Sequence, residues 1–215
     1  MRLYTHRKHP QREHIEQAVE ALQRGKLIVL PTDTLYGLGA DATNPEAVRS
    51  VALTKGRMPG EPLPLLVSNK EMALKFADRW PEEAHILATR FWPGALTLIL
   101  PAKPELSLEI IGPSGGVGLR MPDSPVALRI IQELGRPVVG TSANFSGEPG
   151  ALDPDEIDKD IGYDIEILLD VGKLAYSPGS TVVDLTKSVP KVLRHGAVDT
   201  DLIADALSGV LNGAV

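Results

Sequence analysis

Lys55-Gly56-Arg57 places two cations around a glycine, directly after a stretch that reads as a helix. Arg offers a planar fork that matches phosphate or carboxylate, and Lys a compact point charge, so the pair could line an anion pocket. The same residues could also serve as a C-terminal cap facing water, because cations are mildly favoured at a helix C-terminus. Thr141-Ser142-Ala143-Asn144 follows a short apolar run and offers hydroxyls and an amide where ligands of open α/β sheets sit. Ser and Asn are also ordinary turn residues. Pro31-Thr32-Asp33-Thr34-Leu35-Tyr36 carries Thr32, Thr34 and Tyr36 as hydroxyl donors after another apolar run. Pro178-Gly179-Ser180-Thr181 puts small and hydroxyl residues at a strand start. Arg120 and Arg194 each close an apolar run, where a cation is costly unless partnered. Together these residues suggest a pocket for a small, multiply anionic ligand and leave the ligand unnamed.

The elements that must position them can be read from periodicity. Ile15, Ala18, Val19 and Leu22 follow helical spacing, with Gly25 at the C-terminal cap. Leu27 to Leu30 predicts a buried strand cut by Pro31. Asn44-Pro45 starts a helix reaching about Thr54, with Asn as cap and Pro at the first helical position. Leu63 to Val67 predicts a strand, 70–77 and 81–91 helices, and Leu96 to Leu100 a strand. A strand end follows at Gly118-Leu119-Arg120, then a helix from Ser124-Pro125 to Gly135 and a short strand at Val138-Val139-Gly140. Asp153-Pro154 opens another expected helix. Ile165 to Leu169, Thr181 to Leu185 and Lys191 to Leu193 read as late strands, and Leu202, Ile203, Ala206, Leu207 and Val210 as a last helix. Strands and helices alternate without a flexible linker, so the expectation is one α/β domain over residues 1–215, a mixed sheet covered by helices.

Composition narrows the chemistry. The 215 residues include no cysteine, which excludes disulfides, thiolate catalysis and Cys-based zinc sites. A net charge of −6 argues against a generic polyanion-binding surface, while leaving room for a local basic pocket. No apolar run is long enough to cross a membrane, and the N-terminus lacks a secretory pattern. Gly37-Leu38-Gly39-Ala40-Asp41-Ala42 matches a dinucleotide fingerprint in letters alone, because the helix signal comes only at Asn44. Gly25-Lys26 lacks the rest of a P-loop. His6, His9 and His14 read as solvated surface, with a metal cluster as the minority alternative, and no dedicated metal site is expected.

In chain order these segments resemble the YrdC/TsaC-like family of threonylcarbamoyl-AMP synthases. The resemblance rests on Pro31 to Gly39, Lys55-Gly56-Arg57, Phe91-Trp92-Pro93-Gly94-Ala95-Leu96-Thr97, Leu119-Arg120-Met121-Pro122, Ser142-Ala143-Asn144, Ser180-Thr181-Val182 and Val192-Leu193-Arg194. It implies a twisted mixed parallel and antiparallel sheet flanked by helices, with a deep, positively lined central cavity. It also implies a nucleotidyltransferase that joins L-threonine, bicarbonate and ATP into threonylcarbamoyl-adenylate and pyrophosphate. A cytoplasmic partner complex would then transfer the threonylcarbamoyl group to the adenosine beside the anticodon of certain tRNAs. Carried over residue by residue, Lys55, Arg57, Ser142 and Asn144 match catalytic and ATP-binding positions, joined by Gly150 and Arg194 on the nucleotide side. Thr32, Thr34, Tyr36, Arg120, Gly140 and Ser180 match the threonine side. Mg2+ is expected to arrive with ATP.

The sequence departs from the family at three places. Arg57-Met58-Pro59 shifts a proline by one position, Glu61 stands before Pro62-Leu63 where an Asn is usual, and Leu65-Leu66-Val67-Ser68 lacks the His some members carry. Longer members have a further C-terminal domain, and at 215 residues none is expected here. The implied adenylation needs positioning and charge neutralisation rather than a protein nucleophile. The rival expectation is an RNA-binding module without adenylation activity. Low overall basicity and an aromatic content of 4% count against strong RNA binding and leave weak tRNA contact as a secondary expectation.

Overall fold

The computed structural model describes residues 1–57, 61–157, 161 and 165–211. Among the described residues ten strands, numbered along the chain, form one mixed sheet in the order β1-β8-β2-β3-β7-β4-β6-β5-β9-β10. They are β1 (Arg2–Tyr4), β2 (Leu27–Pro31), β3 (Tyr36–Asp41), β4 (Leu65–Leu66), β5 (Leu96–Pro101), β6 (Gly116–Arg120), β7 (Val138–Ser142), β8 (Ile165–Asp170), β9 (Thr181–Asp184) and β10 (Lys191–Arg194). The helices are α1 (Arg12–Gln23), α2 (Pro45–Thr54), α3 (Lys70–Leu74), α4 (Glu82–Phe91), α5 (Pro125–Leu134) and α6 (Thr200–Leu211). Four pairs are parallel (β1·β8, β2·β8, β4·β6, β5·β9) and five antiparallel (β2·β3, β3·β7, β4·β7, β5·β6, β9·β10). The expected mixed sheet flanked by helices is therefore what forms.

Helix ends follow their capping chemistry. The Asn44 side chain accepts from the N–H groups of Glu46 and Ala47, and Pro45 fills the first helical position. Ser124 accepts from Ala127 N–H, donates from Oγ to Pro31 O at 2.7 Å, and so ties the start of α5 to the end of β2. Gly135 closes α5 with φ of 67°, a left-handed geometry that a Cβ disfavours. The apolar stripes Ile15, Ala18, Val19, Leu22 of α1 and Val126, Ala127, Ile130, Ile131, Leu134 of α5 are buried, and the two helices pack together on β2. Burial of such side chains contributes about 1.5–3 kcal/mol each before entropy is charged.

Several elements differ from expectation. Tyr36–Asp41, which carries the glycines of the apparent dinucleotide fingerprint, is a buried strand hydrogen-bonded to β2 and β7. Its glycines serve packing: a Cβ at Gly39 would stand 2.8 Å from Leu30 Cδ2 and 2.9 Å from Val138 Cγ1. Leu63 to Val67 contributes only the two-residue strand β4, since Pro62 and Pro64 lack N–H donors. The helix expected over 70–77 stops at Leu74. After Asp153 the described residues form one turn of 3-10 helix, Pro154–Glu156, closed by a capping box. Arg2–Tyr4 adds an edge strand that three residues of sequence could not announce.

The sheet has two unlike faces. On β5, Leu96, Leu98 and Leu100 are fully buried in the core, while Thr97 and Ile99 line a cavity. On β6, Val117 and Leu119 are core, and Gly116, Gly118 and Arg120 face the cavity. On β9, Thr181 and Val183 are buried, and Val182 and Asp184 face the cavity with Ser180 just ahead of them. The period-2 alternation of strands is what gathers distant segments onto one floor.

Candidate functional site

The cavity measures about 750 Å³ and takes its lining from β3, β5, β6, β7, β9, β10 and the loops between them. It holds Thr32, Thr34, Tyr36, Arg57, Arg120, Gly140, Ser142, Ser180 and Arg194, residues up to 162 positions apart (32 to 194). Nine residues singled out from sequence therefore meet at one place. Lys55, Asn144 and Gly150 stand behind the wall rather than in it.

Lys55 is 2% exposed. Its Nζ donates to the carbonyls of Ser142 and Asn144, while Lys55 O accepts from Ser146 N–H at 3.0 Å. The ammonium thus staples the end of β7 to the C-terminus of α2. Burial, reinforced by the charge of Arg57 and opposed by Glu61, brings its pKa down to about 8. Asn144 donates from Nδ2 to the carbonyls of Phe145 and Glu148, both at 2.7 Å, and its buried Oδ1 has no donor among the described residues. Gly150 packs under Leu35, whose Cδ1 would lie 2.5 Å from any Cβ placed there.

Arg57 donates from Nη1 to Pro62 O at 2.6 Å and from Nη2 to Thr141 Oγ1 at 2.9 Å. Its Nε is buried without an acceptor among the described residues. Arg194 donates from Nε to Ser180 O at 2.9 Å and from Nη2 to Ser180 Oγ at 2.8 Å. Neither guanidinium has an ion-pair partner among the described residues. Arg120 is clamped: Nη2 pairs with Asp33 Oδ1 at 2.5 Å, Nη1 donates to Thr34 Oγ1 at 3.0 Å, and Nε to Gly94 O at 3.0 Å. Burial lowers the pKa of all three guanidiniums. The charge of Arg194 lowers those of Arg57 and Arg120 further, which puts the three within one electrostatic field.

The hydroxyls are ordered around these cations. Thr32 Oγ1 donates to Leu35 O at 2.6 Å and accepts from the N–H groups of Thr34 and Leu35. Its single proton being used, Thr34 must donate across the 3.0 Å contact between their oxygens. A chain Arg120→Thr34→Thr32→Leu35 O results. Tyr36 is fully buried and its hydroxyl is committed elsewhere, donating to Gly172 O at 2.7 Å and accepting from Val171 N–H. Burial pushes its pKa up to about 12. Gly140 lines the cavity and touches Leu66: a Cβ there would lie 2.3 Å from Leu66 Cγ. Ser142 presents its hydroxyl without a protein partner among the described residues.

Sequence reasoning passed over four residues of the site. Asp33 and Thr141 sat inside recognised segments but gained meaning only as partners of Arg120 and Arg57. Thr97, the single polar residue of β5, and Asp184, at the end of β9, also line the floor. That position on the minority face of a strand is the signal that could have found them. His6 and His9 stack at 5.4 Å near the N-terminus, and no cluster of three ligating side chains exists among the described residues.

A mixed sheet that floors a cleft with three partly desolvated guanidiniums and ordered hydroxyls defines an α/β protein whose cleft offers the donors a compact anion would need. The family model Sua5/YciO/YrdC, described as "Telomere recombination", matches residues 20–196. The chain belongs to that family. A putative threonylcarbamoyl-AMP synthase of Mycobacterium tuberculosis is 40% identical over 193 residues, covering 90% of this chain and 88% of its own. The threonylcarbamoyl-AMP synthase of Bacillus subtilis is 37% identical over 88% of this chain and 55% of its own. Among solved structures, Pyrococcus abyssi Sua5 complexed with L-threonine superposes with a TM-score of 0.90 at 35% identity, over 96% of this chain and 61% of that one. YciO of Escherichia coli superposes with 0.85 at 28% identity, over 93% and 97%. No helix among the described residues is long and apolar enough to cross a membrane.

Proposed function

We propose that this protein is an L-threonylcarbamoyladenylate synthase, a nucleotidyltransferase that makes threonylcarbamoyl-AMP and pyrophosphate from L-threonine, bicarbonate and ATP. The observation that carries the reading is the convergence of Arg57, Arg120 and Arg194 on one cavity, two of them without a counter-charge among the described residues. A site that penalises its own cations gains most when anionic oxygens enter it. The names borne by relatives at 37–40% identity, threonylcarbamoyl-AMP synthase, support the choice of product.

In this reading the amine of threonine attacks the bicarbonate carbon and water leaves, giving N-carboxythreonine, whose carboxylate attacks the α-phosphate of ATP as pyrophosphate leaves. The chain's part is to bind, orient and neutralise. Arg57 and Arg194 receive phosphate oxygens, and Ser142 adds a hydroxyl beside them. The carboxylate of threonine lies against Arg120 and Ser180, with Thr32 and Thr34 fixing the Arg120 fork. Lys55 and Asn144 act by holding the 142–144 segment in place, and Gly150 by seating Leu35. Tyr36 anchors β3 through residues 171–172. Mg2+ enters with ATP and shares its charge; the two carboxylates lining the cavity, Glu61 and Asp184, are separately engaged with Ser146 and Thr186 and make no ready-made metal cage. The adenylate is then consumed by a transferase acting on tRNA.

Pyrophosphate release tests the reading through omission. It is expected only when ATP, bicarbonate and threonine are all present. Release that continues without threonine, or fails with all three, contradicts it. Serine is expected to serve less well rather than not at all, since one methyl group is worth only about 1 kcal/mol or somewhat more.

A further inference from the structure

Thr97 projects from β5 onto the cavity floor, beside Ser180 at the start of β9. Both are more than nine-tenths buried, at 6% and 5% exposure. Their hydroxyl oxygens lie 2.9 Å apart, and Ser180 Oγ also accepts from Arg194 Nη2 at 2.8 Å. On its other side the Thr97 methyl is held near Gly118, 3.5 Å from where a Cβ would be. A β-branched side chain on a strand has few alternatives at χ1, so its hydroxyl is fixed toward Ser180.

Two hydroxyls carry two protons, and the bond between them uses one. The other has no protein acceptor among the described residues. If Ser180 donates to Thr97, the free O–H belongs to Thr97; if Thr97 donates to Ser180, it belongs to Ser180. Either arrangement leaves one buried donor facing the cavity, polarised by Arg194 at the head of the chain. A buried donor left unmet costs about 1–3 kcal/mol, so the pair is built to meet an acceptor.

We propose that Thr97 and Ser180 act as one donor unit that binds a carboxylate oxygen of the amino-acid substrate, which makes Thr97 a positioning residue for threonine. This rests on the adenylation reading above and adds a residue to it. Arg120, on the neighbouring strand β6 and the same floor, is paired with Asp33 and keeps two of its five N–H donors without a partner among the described residues, available to the carboxylate.

The test is a double-mutant cycle on the full chain, read by calorimetric threonine binding and by the separate KM values for threonine and ATP. Thr97→Val keeps the shape and removes the hydroxyl; it is expected to weaken threonine about tenfold and to leave the KM for ATP within about twofold. Thr97→Ser restores the hydroxyl and is expected to recover most of the loss. Thr97→Val with Ser180→Ala is expected to be no worse than Ser180→Ala alone, because one unit is lost only once. Thr97→Ala replaces the valine variant in the cycle should that variant not fold. Unchanged threonine affinity in a folded Thr97 variant overturns the proposal, as do losses that multiply with Ser180→Ala or fall mainly on ATP. A wild-type protein that neither binds threonine nor releases pyrophosphate with it overturns the functional reading itself, and this inference with it.

Discussion

Removing the Arg57 guanidinium should separate activity from stability. Arg57 bonds the wall at Glu61 O, Pro62 O and Thr141 Oγ1, and keeps Nε buried without an acceptor among the described residues. Its charge lies in the field of Arg194 and helps depress the pKa of Lys55. The folded protein therefore gains these wall contacts from Arg57 and carries desolvation and like-charge repulsion against them. These terms nearly offset, so Arg57→Gln, which keeps an amide donor for the wall, should shift unfolding stability by no more than about 1 kcal/mol. The reaction has no such offset. Losing a preorganised cation where phosphate charge develops costs about 2–4 kcal/mol of transition-state stabilisation, or about a hundredfold in turnover. Arg57→Lys returns the charge without the fork and should fall between the two. Denaturant melts and initial rates of pyrophosphate release on the three proteins measure both quantities. A folded Arg57→Gln variant that turns over near the wild-type rate would refute the placement of Arg57 on the nucleotide.

Two further outcomes follow from the charges behind the wall. Asp33→Asn leaves the buried Arg120 cation without its counter-charge, and should cost about 3 kcal/mol of stability in denaturant titration together with weaker threonine use; an unchanged midpoint contradicts the clamp. Lys55 has a folded pKa of about 8, below its ordinary value of 10.5, so between those values the unfolded chain holds a proton that the folded protein has released. Stability must then rise with pH across that window. Relative to Lys55→Met, the wild type should gain about 2 kcal/mol between pH 7.5 and 9.5, and a flat difference would show that Lys55 is not desolvated.

Much of the sheet could be read from apolar runs bounded by Pro and Gly, and α1, α2 and α5 from helical stripes with their caps. What escaped reading was local chemistry overridden by tertiary contact. The Gly37 and Gly39 strand gives no strand signal because glycine disfavours strands, yet it is held from both sides by β2 and β7, and Gly39 is required where Leu30 and Val138 close over it. The candidate site divides in the same way. Arg57, Arg120, Arg194, Ser142 and Ser180 reach the cavity as their residue types suggested. Lys55 and Asn144 look like ligand-binding groups in sequence, but Lys55 points its donors at backbone carbonyls and Asn144 does the same. Thr97 shows the opposite case, since a single hydroxyl in Leu96-Thr97-Leu98-Ile99-Leu100 acquires a role only once β9 brings Ser180 beside it.

The most direct test of the whole account is to identify the product formed from ATP, threonine and isotopically labelled bicarbonate by mass spectrometry. The cleft described above predicts an adenylate of carbamoylated threonine that carries the label, formed in step with pyrophosphate. ATP left intact, or an adenylate of threonine without the labelled carbon, would contradict it.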